Sequence, residues 1–302
     1  MISKSGEANP ISKPPDKTRG LFGSLPTAHK LTAREGLFPR APAVWSQNKA
    51  RFIERYLSGF QQVTKSGVLI DGFAGPQREE DQSLWTAKRV LEMRPPWLQR
   101  FYLCELDIDK VRMLRALKRI HDGKPKPRRV SVFAGDFNTS IDTILLANRI
   151  RQKTPAFALL DMRTSECHWN TVRKIATHKP KGLKIEILYF LATGWLGRAL
   201  STRGDEAEAD LWWGNNSWKP LVEASASHVT WAETMANRFQ TEFGYRYAHP
   251  WPIHASNESS RVFYYLVHAT DHPAAPSLMK AAYRFACGGR AGTLADDQMQ
   301  LL

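Results

Sequence analysis

Four acidic residues have positions suited to binding a ligand, because each stands at or just after the end of a short apolar run. They are Asp71, Glu105, Asp136 and Asp161. A carboxylate accepts hydrogen bonds from hydroxyl and amino groups, which makes it a natural partner for sugars and bases. Any one of the four could instead cap the helix that follows it. Their recurrence at equivalent positions favours a shared binding edge.

The first of these acids opens a turn that contains two glycines. The segment reads Asp71-Gly72-Phe73-Ala74-Gly75-Pro76 and follows the apolar run Val68-Leu69-Ile70. Glycine allows backbone conformations and close approaches that a Cβ would resist. Nucleotide-type sites are built from such turns after a first parallel strand, although an ordinary loop would have the same composition.

The segments that must position these residues alternate between apolar runs and helical periodicity. Strands are predicted at 68–70, 100–105, 129–134, 156–160 and 183–192. Helices are predicted at 44–60, 83–93, 139–151, 224–243 and 276–286, with two more beginning near 107 and 166. Strict alternation predicts parallel strands with helices on both faces. Ligands bind beyond the carboxyl ends of such strands, so the four acids should gather at one edge.

The end of the chain predicts a different pairing. Two strands at 246–254 and 261–269 read as a hairpin, which would add an antiparallel edge to the parallel sheet. In the first helix, Lys49 and Arg51 lie outside the apolar face. The expected fold is therefore α/β and Rossmann-like, with a mostly parallel sheet and a C-terminal antiparallel hairpin.

Composition suggests one folded domain with two extensions. Residues 1–40 read as a basic disordered tail, 41–290 as a single domain and 291–302 as a frayed C-terminus. Residues 201–220 read as an insertion that contains Trp212, Trp213 and Trp218. Clustered tryptophans can stack on bases, or they can fill a small core, and we expect the core.

The charge of the chain favours a polyanionic partner. The formal net charge is +14 over 302 residues, which indicates nucleic acid or another acidic partner. A solvated basic surface is the alternative. The densest basic stretch gives the candidate nucleic-acid contacts Arg112, Arg115, Lys118, Arg119, Lys124, Lys126 and Arg128.

The cysteines and the hydropathy of the chain indicate in which cellular compartment the protein is expected. The three cysteines are far apart, so neither a disulfide framework nor a metal-ligand spacing is visible, and no metal is expected. No apolar run has the length of a membrane span, and the start of the chain lacks the apolar region of a signal peptide. We expect a cytoplasmic protein with no membrane contact.

The alternating strands, the acid–glycine turn, the strand-end acids and the closing hairpin together resemble S-adenosylmethionine-dependent methyltransferases. The resemblance implies that Asp71, Gly72, Phe73, Ala74 and Gly75 hold the methionine part of the cofactor. It also implies that Glu105 binds the ribose hydroxyls and that Asp136 and Phe137 hold the adenine. Asp161 would orient or deprotonate the acceptor, with Arg163 assisting.

A narrower resemblance rests on particular segments. The Asp71 to Pro76 turn, Glu105-Leu106-Asp107, Gly135 to Asn138 and Tyr264 to His272 are similar to the three-Cys-motif partner protein family. This resemblance implies S-adenosylmethionine as cofactor and a protein partner that carries a three-cysteine motif. With the net positive charge, it predicts a methyltransferase that acts on nucleic acid.

Two departures from that family leave an alternative open. The family's Asp-Pro-aromatic-Gly string is replaced by Asp161-Met162-Arg163-Thr164, and charged residues from Arg78 to Asp81 stand where glycines usually follow the first turn. The alternative is a catalytically eroded methyltransferase-like scaffold that binds nucleic acid or a protein partner. A dinucleotide-dependent oxidoreductase is disfavoured, because the turn lacks G-x-G-x-x-G.

Overall fold

A single seven-stranded sheet organises the protein. The computed structural model describes residues 44–77, 82–124, 128–146, 150–193, 206–255 and 261–288, so the predicted tail at 1–40 and the C-terminus at 291–302 lie outside the described residues. The strands are β1 (Val68–Asp71), β2 (Arg100–Glu105), β3 (Arg129–Ala134), β4 (Ala156–Leu160), β5 (Glu186–Leu191), β6 (Tyr247–His254) and β7 (Val262–Thr270).

The sheet order is β3-β2-β1-β4-β5-β7-β6. Strands β1 to β5 pair in parallel, whereas β7 runs antiparallel to both β5 and β6. The expectation of an α/β protein with a mostly parallel sheet and a C-terminal antiparallel hairpin is therefore confirmed. Strands β1, β4 and β5 are buried along their whole length, which is why they read as continuous apolar runs.

Nine α-helices are described. They are α1 (Val44–Thr64), α2 (Thr86–Glu92), α3 (Ile108–Asp122), α4 (Phe137–Leu146), α5 (Trp169–Thr177), α6 (Glu206–Trp213), α7 (Lys219–Glu223), α8 (His228–Phe243) and α9 (Ala275–Cys287). The helix expected at 224–243 begins only at His228, because Ser227 caps it by accepting a hydrogen bond from the Thr230 amide at 3.1 Å. No described helix is both long and apolar enough to cross a membrane.

Helices cover both faces of the sheet. On one face, Tyr56 of α1 packs against Phe157 of β4, with ring centroids 5.6 Å apart. On the other, Trp169 of α5 meets Tyr189 of β5 at 6.3 Å. The register pairs Tyr189 with Leu160, and alternation along β4 then places Phe157 on the opposite face.

The tryptophans of the 201–220 segment belong to the core, as expected. Trp212, Trp213 and Trp218 are all buried, and Trp213 meets Trp231 of α8 edge to face at 5.4 Å. The guanidinium of Arg238 lies between the rings of Trp169 and Trp213, 4.1 and 4.4 Å from their centroids. Residues 201–205 lie outside the described part of the chain.

Candidate functional site

The carboxyl ends of β1 to β4 surround a cavity of about 680 Å³. Asp71, Glu105, Asp136 and Asp161 all line it, so the structure brings together the four acids whose convergence the alternating pattern predicts. The volume lies in the range of small-molecule sites, and the position is the one at which open parallel sheets bind ligands.

Neighbouring strands hold the glycine turn in place. The Gly72 amide donates to the Leu159 carbonyl on β4 at 3.1 Å, and the Ala74 amide donates to the Cys104 carbonyl on β2 at 2.9 Å. The indole of Trp85 donates to the Ala74 carbonyl at 2.6 Å. The turn from Asp71 to Gly75 is therefore a rigid part of the cavity wall. Trp85 is a site residue that the sequence pattern did not single out.

Space, rather than an unusual φ angle, requires the two glycines of the turn. A Cβ on Gly72 would lie 2.8 Å from the Phe137 ring. A Cβ on Gly75 would lie 2.2 Å from Oε2 of Glu105 and 2.7 Å from Cδ of Lys110. The backbone of the turn thus makes the expected close approach, but it approaches side chains that line the cavity.

Backbone amides fix the Glu105 carboxylate. Its Oε2 accepts from the Gly75 amide at 2.9 Å, and its Oε1 accepts from the amides of Leu106 and Asp107 at 2.9 and 3.0 Å. Hydrogen bonds to a charged acceptor are stronger than those between neutral groups. The carboxylate is therefore held against the glycine turn, between β1 and β2.

Asp161 forms an ion pair that no local pattern predicts. The Lys49 ammonium lies 2.9 Å from Oδ1 and 2.8 Å from Oδ2 of Asp161. The Lys49 and Asp161 side chains are only 5% and 13% exposed. Helical periodicity puts Lys49 outside the apolar face of α1, yet the structure buries it at the cavity, because its partner stands at the end of β4. A charge on the polar side of a helix gives no sign of such a partner.

Asp71 is fully buried beside other acids. Its pKa is raised from 3.8 to about 8, chiefly by burial and also by the nearby Asp161 and Glu105, while the Phe73 amide and Lys49 oppose the shift. The Phe73 amide donates to Oδ1 of Asp71 at 3.2 Å. Asp71 is therefore mostly protonated at neutral pH, and a cation bound beside it would favour its ionised form.

Asp136 caps a helix and also lines the cavity. Its Oδ1 accepts from the backbone and side-chain nitrogens of Asn138 at 3.1 and 3.0 Å at the start of α4. Phe137 is buried, and its ring lies 5.8 Å from that of Phe73. The capping alternative thus holds for Asp136, which is also exposed and lines the cavity.

The loop after β4 folds back onto the glycine turn. The Arg163 guanidinium donates to the Gln77 carbonyl at 3.1 Å. The amides of Arg163 and Thr164 donate to Oε2 of Glu166 at 3.1 and 2.7 Å, so Glu166 shapes the loop that follows Asp161. Sequence reasoning missed Glu166. The charged run 78–81, expected to crowd the cofactor loop, lies outside the described residues.

The cavity is acidic although the chain is basic. Among the described residues, seven that bear a carboxyl group line it, against three cationic ones, Lys49, Lys110 and Arg163. The acids are Asp71, Glu105, Asp107, Asp136, Asp161, Glu166 and Glu208. Even with Asp71 protonated, this excess of negative charge favours a cationic ligand over a polyanion inside the cavity.

The predicted polyanion contacts lie outside the cavity, on and after α3. Arg112, Arg115 and Arg119 are exposed, and Lys118 is partly exposed. Arg112 pairs with Asp109 and Lys118 with Asp122. Among the described residues, no carboxylate pairs with Arg115 or Arg119.

The structure corrects this set at one residue. Arg128 is buried, and its guanidinium donates to the carbonyls of Val90 and Met93, so it supports the end of α2 and is not available on the surface. Burial lowers its pKa to about 10. Lys124 is half-buried, with its ammonium 3.3 Å from Nδ1 of His121, and Lys126 lies outside the described residues.

Comparison with known proteins assigns no family to this chain. No protein-family model and no curated protein sequence matches this chain. Among solved structures, the chain is similar to the crystal structure of a Legionella pneumophila protein of the family DUF519. The identity is 12% and the TM-score 0.45, over 82% of this chain and 92% of the other.

Proposed function

We propose that this chain is an S-adenosylmethionine-dependent methyltransferase that acts on nucleic acid and is related to the three-Cys-motif partner proteins. The observation that carries the proposal is the acidic cavity at the carboxyl ends of β1 to β4, in a chain of net charge +14. S-adenosylmethionine supplies an electrophilic methyl group on a positively charged sulfur. An acidic cavity suits that charge, whereas the basic surface suits a polyanionic acceptor.

The donor set fits the parts of this cofactor. The Glu105 carboxylate is held in place by three amides, and its remaining acceptor site, on Oε2, can accept from a ribose hydroxyl. The turn from Asp71 to Gly75 offers a close backbone approach for the methionine part. Asp136 is exposed and lines the same cavity as the Phe73 and Phe137 rings, and it can accept from an exocyclic amine.

Asp161 is suited to orienting the acceptor. Its carboxylate stands at the cavity on the end of β4, and Lys49 keeps it in a defined position. Methyl transfer needs mainly correct alignment of the two reactants, so a carboxylate that is held rigidly can contribute by positioning alone. Arg163, which bridges to Gln77, would close the acceptor side of the cavity.

Titration calorimetry with S-adenosylmethionine and S-adenosylhomocysteine tests the cofactor. We expect both to bind and Glu105→Gln to weaken both at least tenfold, whereas Asp122→Asn, on α3 but away from the cavity, should bind like the wild type. Absence of heat at millimolar cofactor, with folding verified by circular dichroism, would refute the proposal. Transfer of a labelled methyl group to purified RNA or DNA then tests the acceptor.

The alternative of a catalytically eroded scaffold has one observation in its favour. Both oxygens of Asp161 lie within 2.9 Å of the Lys49 ammonium, so the carboxylate is already engaged in an ion pair and is less free to contact an acceptor. In that case the chain would bind the cofactor and nucleic acid, or a protein partner with a three-cysteine motif, without turnover. Cofactor binding with no transfer to any nucleic acid would favour this alternative.

A further inference from the structure

A second cavity lies on the open edge of the sheet, away from the acidic one. It has a volume of about 520 Å³ and is lined by side chains of β2, β3 and the end of α4. Strand β3 is the edge strand of the sheet, and only one of its six residues is buried. Helix α4 ends at Leu146, whose side chain is 80% exposed at the rim. We call this cavity the edge groove.

The edge groove has a cationic end. Arg100 and Arg129 are paired in register at the start of β2 and β3, and both line the groove. Neighbouring strands lie about 4.8 Å apart, and like charges directly opposite one another are unfavourable. Among the described residues, neither arginine forms an ion pair. Nothing in the fold requires two like charges at these positions. A bound anion would relieve the repulsion between the two arginines.

The neighbourhood of the two arginines is also positive. Burial lowers the pKa of His121, and the charges of Lys124, Arg128 and Arg94 lower it further. Arg94 likewise contributes to the lowered pKa of Arg128, after burial. Positive charge is thus concentrated near the amino ends of β2 and β3.

The other end of the groove is aromatic. The register pairs Tyr102 with Ser131 and Cys104 with Phe133, so the side chains of Tyr102, Ser131 and Phe133 share a face with the two arginines. The rings of Tyr102 and Phe133 lie 6.2 Å apart, and Phe133 is only partly buried. Phe133 stands four residues after Arg129, about 13 Å along the strand. A matching ligand therefore carries anionic and flat apolar groups on one extended chain.

We propose that the edge groove binds single-stranded nucleic acid, with phosphates at Arg100 and Arg129 and an unstacked base against Phe133. Base–aromatic stacking combined with a basic track is the usual means of binding single strands. A duplex keeps its bases stacked and could not fill the aromatic end. The proposal rests on the nucleic-acid partner of the proposed function, and it is independent of methyl transfer.

Fluorescence anisotropy with labelled 12-nucleotide RNA, DNA of the same sequence, and the corresponding duplexes tests the proposal. We expect single strands to bind more tightly than duplexes. Arg100→Gln/Arg129→Gln should weaken single-strand binding at least tenfold and reduce the salt slope by about 1.4, that is about 0.7 per phosphate. Phe133→Leu should weaken binding at least fivefold and leave the salt slope unchanged.

Lys153→Gln/Lys181→Gln is the matched control, because it removes two exposed charges elsewhere. Thermal unfolding verifies that each variant is folded. Equal affinity of the arginine variant and this control would overturn the proposal, as would a preference for duplex or an effect of the arginines without any effect of Phe133→Leu. Binding of a peptide strand to β3 in place of nucleic acid would also overturn it. The groove variants should bind S-adenosylmethionine as the wild type does. This measurement therefore distinguishes a wrong assignment of the groove from a wrong assignment of the cofactor site.

Discussion

The Lys49 ammonium bridges the two carboxylate oxygens of Asp161, at 2.9 and 2.8 Å, and joins α1 to the end of β4 across 112 residues of sequence. The same ammonium lies 5.6 Å from the centroid of the Phe190 ring on β5. Three elements of the fold therefore meet at one charge, on the wall of the acidic cavity. Both stability and ligand binding should depend on this pair.

Removal of either partner should destabilise the protein. Lys49→Met or Asp161→Asn leaves one largely buried group without its partner, and we expect a loss of about 1–3 kcal/mol in the free energy of unfolding. Urea titration of the single and double variants gives the coupling energy. The exposed pair Lys174–Asp142 is the control, and Asp142→Asn should cost less than about 1 kcal/mol. Equal losses at the two pairs would contradict the importance of the buried one.

Asp71 should make cofactor binding depend on pH. Its pKa of about 8 means that it carries a proton at neutral pH and loses it as the pH rises. A cation binds the ionised form better, so the affinity for S-adenosylmethionine should increase relative to that for S-adenosylhomocysteine between pH 6 and pH 8. The two ligands share the same amino acid portion, so the ratio of their affinities does not depend on the titration of that portion. A ratio that does not vary with pH would exclude Asp71 as a neighbour of the sulfonium.

Asp71 should also affect stability in a defined direction. Its pKa in the folded state is raised above the value of 3.8, so its contribution is most favourable below pH 4 and is lost as the pH rises to about 8. Asp71→Asn removes this dependence. The stability of the variant relative to wild type should therefore increase with pH between 4 and 8 in urea titrations. A difference that stays constant over this range would contradict the raised pKa.

Gly75 should tolerate substitution poorly although its φ angle is ordinary. In Gly75→Ala the new Cβ would lie 2.2 Å from Oε2 of Glu105, so the carboxylate must move from the amides that hold it. We expect at least a tenfold loss of S-adenosylhomocysteine affinity by calorimetry. Gly123→Ala is the matched control, since its Cβ meets nothing closer than 3.8 Å. Equal affinities for the two variants would mean that the turn does not contact the cofactor.

The exposed arginines of α3 should contribute to nucleic-acid binding without sequence preference. Arg115→Glu/Arg119→Glu reverses two charges that have no carboxylate partner among the described residues, and we expect weaker binding and a smaller salt slope in anisotropy titrations. Lys153→Glu/Lys181→Glu makes the same change in net charge elsewhere on the surface. If both double variants lose the same affinity, net charge alone is responsible and α3 is not a specific contact.

The sequence by itself determined that the sheet is mostly parallel and that four acids share one of its edges, whereas the strand order came from the structure. Alternating apolar runs and helices define parallel strands, and parallel strands place Asp71, Glu105, Asp136 and Asp161 at the same edge. These conclusions depend only on local periodicity and chain direction, both of which can be read from a single sequence.

Only the tertiary structure decided which charges meet and which are buried. Lys49 and Arg128 look like surface residues in the sequence, but the first is paired with Asp161 and the second bonds to α2 carbonyls. The raised pKa of Asp71 and the edge groove beside β3 are likewise invisible in the sequence. Ion pairing and desolvation depend on distances between residues far apart in the chain, and local patterns carry no information about those distances.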